Sequence, residues 1–306
     1  MKSIGMVMLL AAGCGGAQAS PAAPTSAAPE VASTAASSPS AAASSGTAVA
    51  AASAAPPPSA APATSSSTAT STATHVTSVD VPPSIRAVVD APDRSNKDRE
   101  IDAGRHPGEL LAFASVSPGM RVAEIGAGAG YTTELLARAV GPTGTVYSEN
   151  TKFLVDHFAA KPWGERLAKP ALKNVVRVVR DVDDPLPADA KGLDAVFVVL
   201  VYHDMVWMGA DRDKLNRAVF AALKPGGELV VVDHSAKDGT GLSDVKTLHR
   251  IDEHAVIEEV ERAGFHLAAE ADFLRNPSDA RDWNDSPKAA AERRGKSDRF
   301  VLKFVK

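Results

Sequence analysis

Apolar residues are distributed very unevenly along this chain of 306 residues. From residue 81 onwards, short apolar runs that match buried strands alternate with segments whose apolar residues recur every three or four positions, as in amphipathic helices. The runs predict strands at residues 120–125, 144–149, 174–179, 193–201, 228–232, 266–273 and 299–304. The intervening segments predict helices, the clearest of them at residues 131–140, 152–160, 211–223 and 252–263.

The order of these elements indicates the class of fold. Strands that alternate with helices are typical of an α/β fold, in which a mainly parallel sheet carries helices on both faces. The sequence contains no internal repeat, and a length of about 220 residues suits one domain. We therefore predict a single folded domain over residues 81–306.

The first eighty residues have a different composition. Lys2, Glu30 and Asp80 are their only charged residues, and Ala, Ser, Thr and Pro dominate the remainder. Such a segment has too few large apolar side chains to offset the entropy lost on ordering. The composition therefore predicts a disordered linker over residues 15–80.

Residues 1–14 have the features of an export signal. Lys2 precedes an apolar stretch that is too short to span a bilayer. The following AAGC resembles a bacterial lipobox, and its Cys14 is the only cysteine of the chain, which excludes an intramolecular disulfide. We expect a lipid anchor at Cys14 in the cell envelope, at the outer rather than the inner membrane because Gly15 follows instead of aspartate. The alternatives are a plain secretory signal and a cytoplasmic protein with a misassigned start.

The most informative motif is EIGAGAG at residues 124–130, between the first predicted strand and its helix. Gly126, Gly128 and Gly130 allow a tight turn and a close approach of a ligand to the backbone. The helix that follows presents free N–H groups and a partial positive charge. A dinucleotide fingerprint requires a glycine where Tyr131 stands, which disfavours a dinucleotide oxidoreductase.

An acidic residue followed by three alternating glycines resembles the first motif of the class I S-adenosylmethionine-dependent methyltransferases. The resemblance covers roughly residues 93–306. It implies a Rossmann-like fold, with a mainly parallel seven-stranded sheet and an antiparallel last strand, and S-adenosyl-L-methionine as cofactor. The stretches AGRHPGELLAF, VYHDM and LHRID are similar to a subgroup of uncharacterised bacterial predicted methyltransferases, which implies no particular substrate.

The resemblance also implies which residues contact the cofactor. Glu124 would answer the ammonium group, and the three glycines of the turn would approach the ligand closely. Glu149, at the end of the second strand, would accept hydrogen bonds from both ribose hydroxyls. Asp181 would face the adenine amino group, while Val182 would pack on the ring.

Candidate catalytic residues follow the fourth strand, at Tyr202-His203-Asp204. Ligands of such sheets bind beyond the carboxyl ends of the strands. Methyl transfer is an in-line displacement that depends on positioning, and a protonated acceptor also needs a base. We predict His203 as the base, Asp204 as its orienter or as an acceptor contact, and Tyr202 as a ring against the sulfonium or the acceptor. The alternative is that the pair merely begins the next helix, with Asp204 as its N-cap.

The charge-dense segment at residues 93–104 has two interpretations. The preferred one is a solvated helical face with local ion pairs. The other is a lid that supplies Arg99 or Arg105 to an anionic group. Trp207 and Trp283 are candidates for an acceptor pocket, although packing in the core or in a lid is the default.

Metal binding by three histidines near one sheet edge, His203, His234 and His249, is an alternative. They are far apart in the sequence and form no short ligand motif, so no metal is predicted. Nucleic acid is not an expected partner, since the net charge is −4 and there is no long basic run.

The sequence therefore predicts an S-adenosylmethionine-dependent methyltransferase that acts on a small molecule and is anchored to a membrane by lipid. The cofactor is made in the cytosol, and an envelope compartment is not expected to contain much of it. The alternative is a catalytically silent envelope lipoprotein that uses the fold to bind a small ligand. The presence of Glu124, Glu149, Asp181 and the three glycines favours the enzyme.

Overall fold

The computed structural model describes residues 73–306. The predicted signal peptide (1–14), the anchor at Cys14 and residues 15–72 of the predicted linker lie outside the described residues. Within 73–306, no helix is both long enough and apolar enough to cross a membrane.

Strands and helices alternate along the described chain as the apolar pattern predicts. The strands are β1 (Thr74–Val76), β2 (Arg121–Ile125), β3 (Thr145–Asn150), β4 (Val175–Val179), β5 (Leu193–Val199), β6 (Leu223–His234), β7 (His266–Ala271) and β8 (Arg299–Val305). The helices are α1 (Pro83–Val89), α2 (Asn96–Arg105), α3 (Pro107–Phe113), α4 (Tyr131–Val140), α5 (Lys152–Leu154), α6 (Ala160–Leu167), α7 (Tyr202–Trp207), α8 (Arg212–Ala222), α9 (Val245–Leu248), α10 (Glu253–Glu261) and α11 (Pro287–Ala290). A π-helical turn (Val155–Ala159) joins α5 to α6, and 3-10 turns cover Pro170–Leu172 and Ala291–Arg293.

All these strands belong to one sheet with the order β1-β7-β8-β6-β5-β2-β3-β4. Strand β8 runs antiparallel to both of its neighbours, whereas the other pairs are parallel. Strands β2 to β8 are the seven predicted strands, and the last of them is antiparallel. The predicted Rossmann-like α/β fold is therefore confirmed.

Strand β1 is an addition to the predicted sheet. The sequence places the start of the domain at residue 81, but Thr74–Val76 pairs in parallel with β7, and the Val76 carbonyl accepts a hydrogen bond from the Asp272 N–H. Most of β1 is exposed. Its pairing depends on backbone hydrogen bonds, so it leaves no apolar pattern in the sequence.

Both faces of the sheet are buried, as is typical of a parallel sheet between two helical layers. Successive strand residues point to opposite faces, so Val122 packs in one apolar cluster and Ala123 in the other. The cluster that contains Val122 includes residues of α3 and α4. The cluster that contains Ala123 includes residues of α8 and α10.

The sheet topology also determines where a ligand can bind. Strand order reverses between β5 and β2, and the carboxyl ends of β2, β3, β5 and β6 meet at one edge because these strands are parallel. Open α/β sheets bind ligands in the crevice at such a switch point. Every predicted site residue follows or ends one of the strands from β2 to β5.

Candidate active site

The glycine turn joins β2 to α4 at the switch point. Gly126, Gly128 and Gly130 all have positive φ angles, of 68°, 56° and 78°, which L-residues other than glycine rarely adopt. A Cβ atom on Gly126 would lie 2.7 Å from Cγ2 of Val201, whereas one on Gly128 would meet no protein atom within 4 Å. Gly126 is therefore required by packing, and Gly128 keeps an open space free.

Glu149 is the penultimate residue of β3, beside this turn, and is fully buried. Its Oε2 accepts a hydrogen bond from the Gly126 N–H at 3.0 Å, while its Oε1 has no hydrogen-bond partner among residues 73–306. Burial raises the pKa of Glu149 to about 8, despite the Gly126 N–H. An unpaired buried carboxylate oxygen is costly in a folded protein. Glu149 does not line the cavity described below, and its predicted contact with the ribose hydroxyls stays a prediction.

Asn150 is a site residue that the sequence interpretation missed. Its Oδ1 accepts from the Gly128 N–H at 2.8 Å, and its Nδ2 donates to the Gly128 carbonyl at 3.1 Å. The side chain thus mimics a strand partner for Gly128 and fixes the turn. An amide immediately after Glu149 was the available signal.

Glu124 is buried inside the fold rather than in the wall of a cavity. Its carboxylate accepts a hydrogen bond from the Thr133 hydroxyl of α4. Burial raises the pKa of Glu124 to about 7, against the opposing effect of hydrogen bonds from Thr133 and Thr132. The hydrogen bond between Glu124 and Thr133 links β2 to α4. The predicted contact of Glu124 with the ammonium group of the cofactor stays a prediction.

A cavity of about 870 Å³ opens at the carboxyl edge of the sheet. Its wall is formed by parts of α2, the glycine turn, the α5 and π-helical segment, α7, and the loops around residues 249, 285 and 295. Phe153, Phe158 and Trp207 line it and are exposed, and the Phe153 and Trp207 ring centroids are 6.4 Å apart. The cavity therefore has an apolar rim beside a polar floor.

The two predicted pocket tryptophans have different positions. Trp207 lines the cavity. Trp283 lies outside its wall, between the guanidinium groups of Arg250 and Arg293 at 4.6 and 4.4 Å from the ring centroid, and its Nε1 donates to Asp279 at 2.7 Å.

The charge-dense segment forms α2 and the residues before it, and it is solvated only in part: Lys97 and Glu100 are exposed. Arg94 and Asp98 are buried. Arg94 pairs with both carboxylate oxygens of Asp102 at 2.7 and 2.8 Å. Arg166 of α6 does the same with Asp98 at 2.7 and 2.8 Å. The preferred interpretation is therefore wrong for Arg94 and Asp98, and α2 forms part of the cavity wall as a lid.

This lid brings Arg105 to the cavity and to the start of α4. The guanidinium carbon of Arg105 lies 5.3 Å from the centroid of the Tyr131 ring. The Arg105 side chain makes no ion pair within the described residues. Burial, reinforced by the positive charge of Arg294, lowers the pKa of Arg105. Burial and the charge of Arg105 likewise lower the pKa of Arg299 to about 10. These three arginines all line the cavity, so its electrostatics favour an anionic group.

His203 is fully buried behind the cavity wall. Its Nδ1 lies 2.6 Å from Oδ1 of Asp233, whose Oδ2 accepts the His203 N–H at 2.8 Å. Burial opposes the imidazolium, but the Asp233 carboxylate outweighs it and raises the pKa of His203. Asp233, at the end of β6, is therefore the orienter of His203.

Asp204 and His249 face the cavity in front of His203. The Nε2 atoms of His203 and His249 are 2.9 Å apart, and Oδ1 of Asp204 lies 3.5 Å from Nε2 of His203. Burial and the neighbouring imidazoles of His203 and His234 lower the pKa of His249 to about 4. Asp204 lies in the first turn of α7, whose N-cap is Val201, so the N-cap alternative was wrong.

The structure does not bring Tyr202 to the cavity. Its ring is buried, and its hydroxyl donates to Glu259 of α10 at 2.9 Å and accepts from Asn216 of α8 at 2.9 Å. The predicted contact with the sulfonium or the acceptor is therefore corrected, because consecutive residues of a helix point about 100° apart. His203 and Tyr202 cannot share one face.

Asp181 and Val182 also lie outside the cavity wall. Asp181 is exposed in the turn after β4, and Val182 packs at the margin of an apolar cluster. The predicted adenine contacts of both residues stay predictions.

Comparison with known proteins gives the family. The family model for protein-L-isoaspartate(D-aspartate) O-methyltransferase matches residues 81–265. A protein-L-isoaspartate O-methyltransferase of Aeropyrum pernix is 30% identical over 154 residues, which are 49% of this chain and 54% of that protein. An arsenite methyltransferase of Halobacterium salinarum is 27% identical over 150 residues, 49% of this chain and 36% of that protein.

A crystal structure of a proposed sarcosine dimethylglycine methyltransferase from Galdieria sulphuraria shares the fold, with a TM-score of 0.50 and 16% identity over 71% of this chain and 89% of that one. The chain spans about half the length or less of the two curated relatives.

Proposed function

Because the chain belongs to the protein-L-isoaspartate(D-aspartate) O-methyltransferase family, we propose that it transfers a methyl group from S-adenosyl-L-methionine to an acceptor bound in the cavity. S-adenosyl-L-methionine is the expected cofactor. It supplies a methyl group on a sulfonium, so the acceptor needs only a nucleophilic atom in line with that methyl.

The observation that carries this proposal is the open space at Gly128 in the cavity wall. In the same turn the Gly126 N–H donates to Oε2 of Glu149, whose Oε1 is unpaired within the described residues. A ribose that donates two hydroxyls to this carboxylate would lie against the glycine turn. Such hydrogen bonds contribute about 1.5–3 kcal/mol each when Glu149 is ionised, which its pKa of about 8 places above neutral pH. Few other ligands need a deeply buried carboxylate with one free oxygen at this position.

Arg105 supports the same placement from the other side of the turn. Its guanidinium lies over Tyr131, directly after Gly130, and would pair with the carboxylate of the cofactor's amino-acid end. The lid interpretation of the charged segment predicts this role for Arg105 from the sequence.

We place the acceptor against Asp204 and His249, with His203 behind them. These side chains line or support the cavity wall, next to the aromatic rim formed by Phe153, Phe158 and Trp207. A small, partly apolar molecule with one nucleophilic oxygen or nitrogen suits this arrangement. Nothing among the relatives favours the catalytically silent binding module, because those named above are methyltransferases.

A second acceptor class follows from the family model. The matched family is described as acting on L-isoaspartate and D-aspartate residues, so a carboxylate of a peptide is the alternative acceptor. The cluster of Arg105, Arg294 and Arg299 would attract it. Methyl transfer to an isoaspartyl peptide, with the aspartyl peptide as control, would distinguish this class from a small molecule.

Isothermal titration calorimetry on the full chain tests the proposal. We expect S-adenosyl-L-methionine and S-adenosyl-L-homocysteine to bind with one site each, and NAD to give no heat. A folded protein that binds neither adenosyl ligand would refute the proposal.

We also propose that Cys14 is lipidated and anchors the domain in the cell envelope, at the outer membrane. The support is the sequence of the export signal and the position of the only cysteine. One acyl chain holds a protein weakly, whereas two or more hold it stably. We expect Cys14→Ser to move the protein from the membrane fraction to the soluble fraction. Unchanged membrane association of Cys14→Ser would contradict the lipid anchor.

A further inference from the structure

We propose that His203, His249 and Asp204 bind a divalent transition-metal ion at the wall of the cavity. The two histidines come from distant segments, at the start of α7 and directly after α9. One nitrogen or oxygen atom from each of the three residues lies within 4.8 Å of the others. The tertiary structure therefore assembles a ligand set that the sequence spacing does not suggest.

The distance between the two imidazoles suits two ligands of one ion. Their Nε2 atoms are 2.9 Å apart. With metal–nitrogen bonds of about 2.0–2.1 Å to one shared ion, the N–metal–N angle would be about 90°. A tetrahedral ion would need about 3.3 Å between the same atoms. The geometry thus favours an octahedral or five-coordinate ion with the nitrogens in adjacent positions.

The residue behind His203 completes the arrangement. Asp233 is fully buried and accepts from Nδ1 of His203 at 2.6 Å. Metal-binding histidines almost always donate their other ring N–H to a carboxylate or carbonyl, which fixes the tautomer and directs the free nitrogen to the ion. Here that free nitrogen is Nε2, which faces His249.

Two histidines and one carboxylate leave other coordination positions open. Two-histidine, one-carboxylate sets with open positions bind divalent first-row metals such as iron, manganese, cobalt and zinc. Asp204 and His249 line the cavity that also reaches Gly128, so the open positions face the region where the acceptor is placed.

The role of the ion rests on the proposed methyl transfer. A hydroxyl or carboxyl oxygen of the acceptor would occupy an open position and lose its proton to solvent, which an adjacent metal ion facilitates. That oxygen forms the bond to the methyl carbon while the carbon–sulfur bond breaks and its electron pair stays on sulfur. The oxidation state of the ion does not change.

A shared proton is the competing explanation for the same contact. Two imidazole nitrogens 2.9 Å apart also fit an N–H···N hydrogen bond. In that case the protein would bind no metal at this point, and replacing His249 would leave metal binding as it was.

Titration with Co²⁺, followed by its visible absorption, distinguishes the two explanations. The full chain is used without a polyhistidine tag and without cofactor, with Zn²⁺ competition as a second readout. We expect one equivalent of Co²⁺ to bind with d–d bands that indicate nitrogen and oxygen ligands. Glutamine in place of His249 should weaken binding by more than about 100-fold, and Asp233→Asn by about 10- to 100-fold.

His266→Gln is the matched control, because His266 is exposed at the start of β7. Asp204→Asn is a second ligand variant, in a partly exposed side chain that folding depends on less. Wild-type protein that binds no Co²⁺, or that binds it as tightly as folded His249→Gln, would overturn the metal site. Cofactor binding in that same protein would leave the proposed methyl transfer intact, so the two failures are distinguishable.

Discussion

At the scale of single residues, Glu149 stands out because its placement opposes stability. The side chain is fully buried, one carboxylate oxygen has a single N–H partner and the other has none within the described residues. Burial raises the pKa of Glu149 to about 8. The folded state therefore holds a proton that the unfolded state releases near the ordinary carboxyl pKa, and stability falls as pH rises from there to about 8.

Glu149→Gln should remove this pH dependence and weaken cofactor binding at the same time. Between about pH 5.5 and 8.5 the wild-type protein should lose about 2–3 kcal/mol more unfolding free energy than the variant. At pH 8.5, where Glu149 is mostly ionised, cofactor affinity should fall by about 10- to 100-fold, since a charged acceptor is lost. Urea unfolding at both pH values and calorimetry with S-adenosyl-L-methionine measure the two effects.

Glu165→Gln is the control for this experiment, because Glu165 is exposed on α6. It should change neither quantity. Parallel stability profiles of the wild-type protein and Glu149→Gln would contradict the raised pKa of Glu149.

Gly128 and Gly192 separate backbone strain from ligand contact. Both have positive φ, of 56° and 64°, and a Cβ on either would meet no protein atom within 4 Å. Alanine at each position should destabilise the fold by about 1–2 kcal/mol. Only Gly128→Ala should also raise the Kd for S-adenosyl-L-methionine, by about tenfold or more, which corresponds to about 1.4 kcal/mol of lost contact. Equal cofactor affinity in the two variants would exclude Gly128 from the binding surface.

At the scale of elements, the lid is held by charges that span three helices. Arg166 of α6 pairs with Asp98 of α2 and with Glu134 of α4, at 2.7 and 2.5 Å. Its Nε also donates to the Ala129 carbonyl at 2.7 Å. Asp98 and Glu134 are nearly inaccessible, so these pairs are not equivalent to surface salt bridges. The network couples the lid directly to the glycine turn.

Arg166→Met should therefore destabilise the protein and loosen the lid. It leaves two buried carboxylates short of a partner, which costs about 3 kcal/mol. Cofactor affinity should also fall, because Arg105 lies at the end of α2. Chemical unfolding and calorimetry measure these effects. Arg217 is exposed on α8, so Arg217→Met should change neither the stability nor the cofactor affinity. If Arg166→Met were as stable as the wild-type protein, the ion-pair network would contribute no net free energy to folding.

At the scale of the whole molecule, the edge strand and the cavity belong to different parts of the sheet. Strand β1 is the edge strand beside β7, while Val76 and Val79 pack against an apolar cluster. The cavity lies at the switch point between β5 and β2. Loss of β1 should consequently affect stability without affecting the cofactor site.

A chain that lacks residues 1–80 should be less stable than one that lacks residues 1–72. The expected difference is about 1–2 kcal/mol, since two partly buried valines and a row of strand hydrogen bonds are lost. Both chains should bind S-adenosyl-L-methionine equally. Urea unfolding and calorimetry test this, and identical unfolding curves would show that β1 contributes nothing to the fold.

The sequence by itself determined the strands of the sheet and the glycine turn between β2 and α4. Strands β2 to β8 are apolar runs long enough to be recognised locally, and the three glycines predicted a tight turn, in which the structure gives each of them a positive φ. The position of Glu149 was also predictable, because the apolar run before it places it near the carboxyl end of β3. These features depend on neighbours in the sequence, where local periodicity carries the information.

Only the tertiary structure decided which polar residues meet. Asp233 and His249 reach His203 from 30 and 46 residues away, and Arg166 reaches Asp98 from 68 residues away. No local pattern encodes such contacts, because they depend on how strands are ordered and where loops return. Tyr202 shows the same limit, since its neighbour His203 contacts His249 of the cavity wall while the Tyr202 hydroxyl bonds to residues of α8 and α10. The sequence identified the edge of the sheet at which the candidate site lies. Tertiary packing determined which side chains meet there.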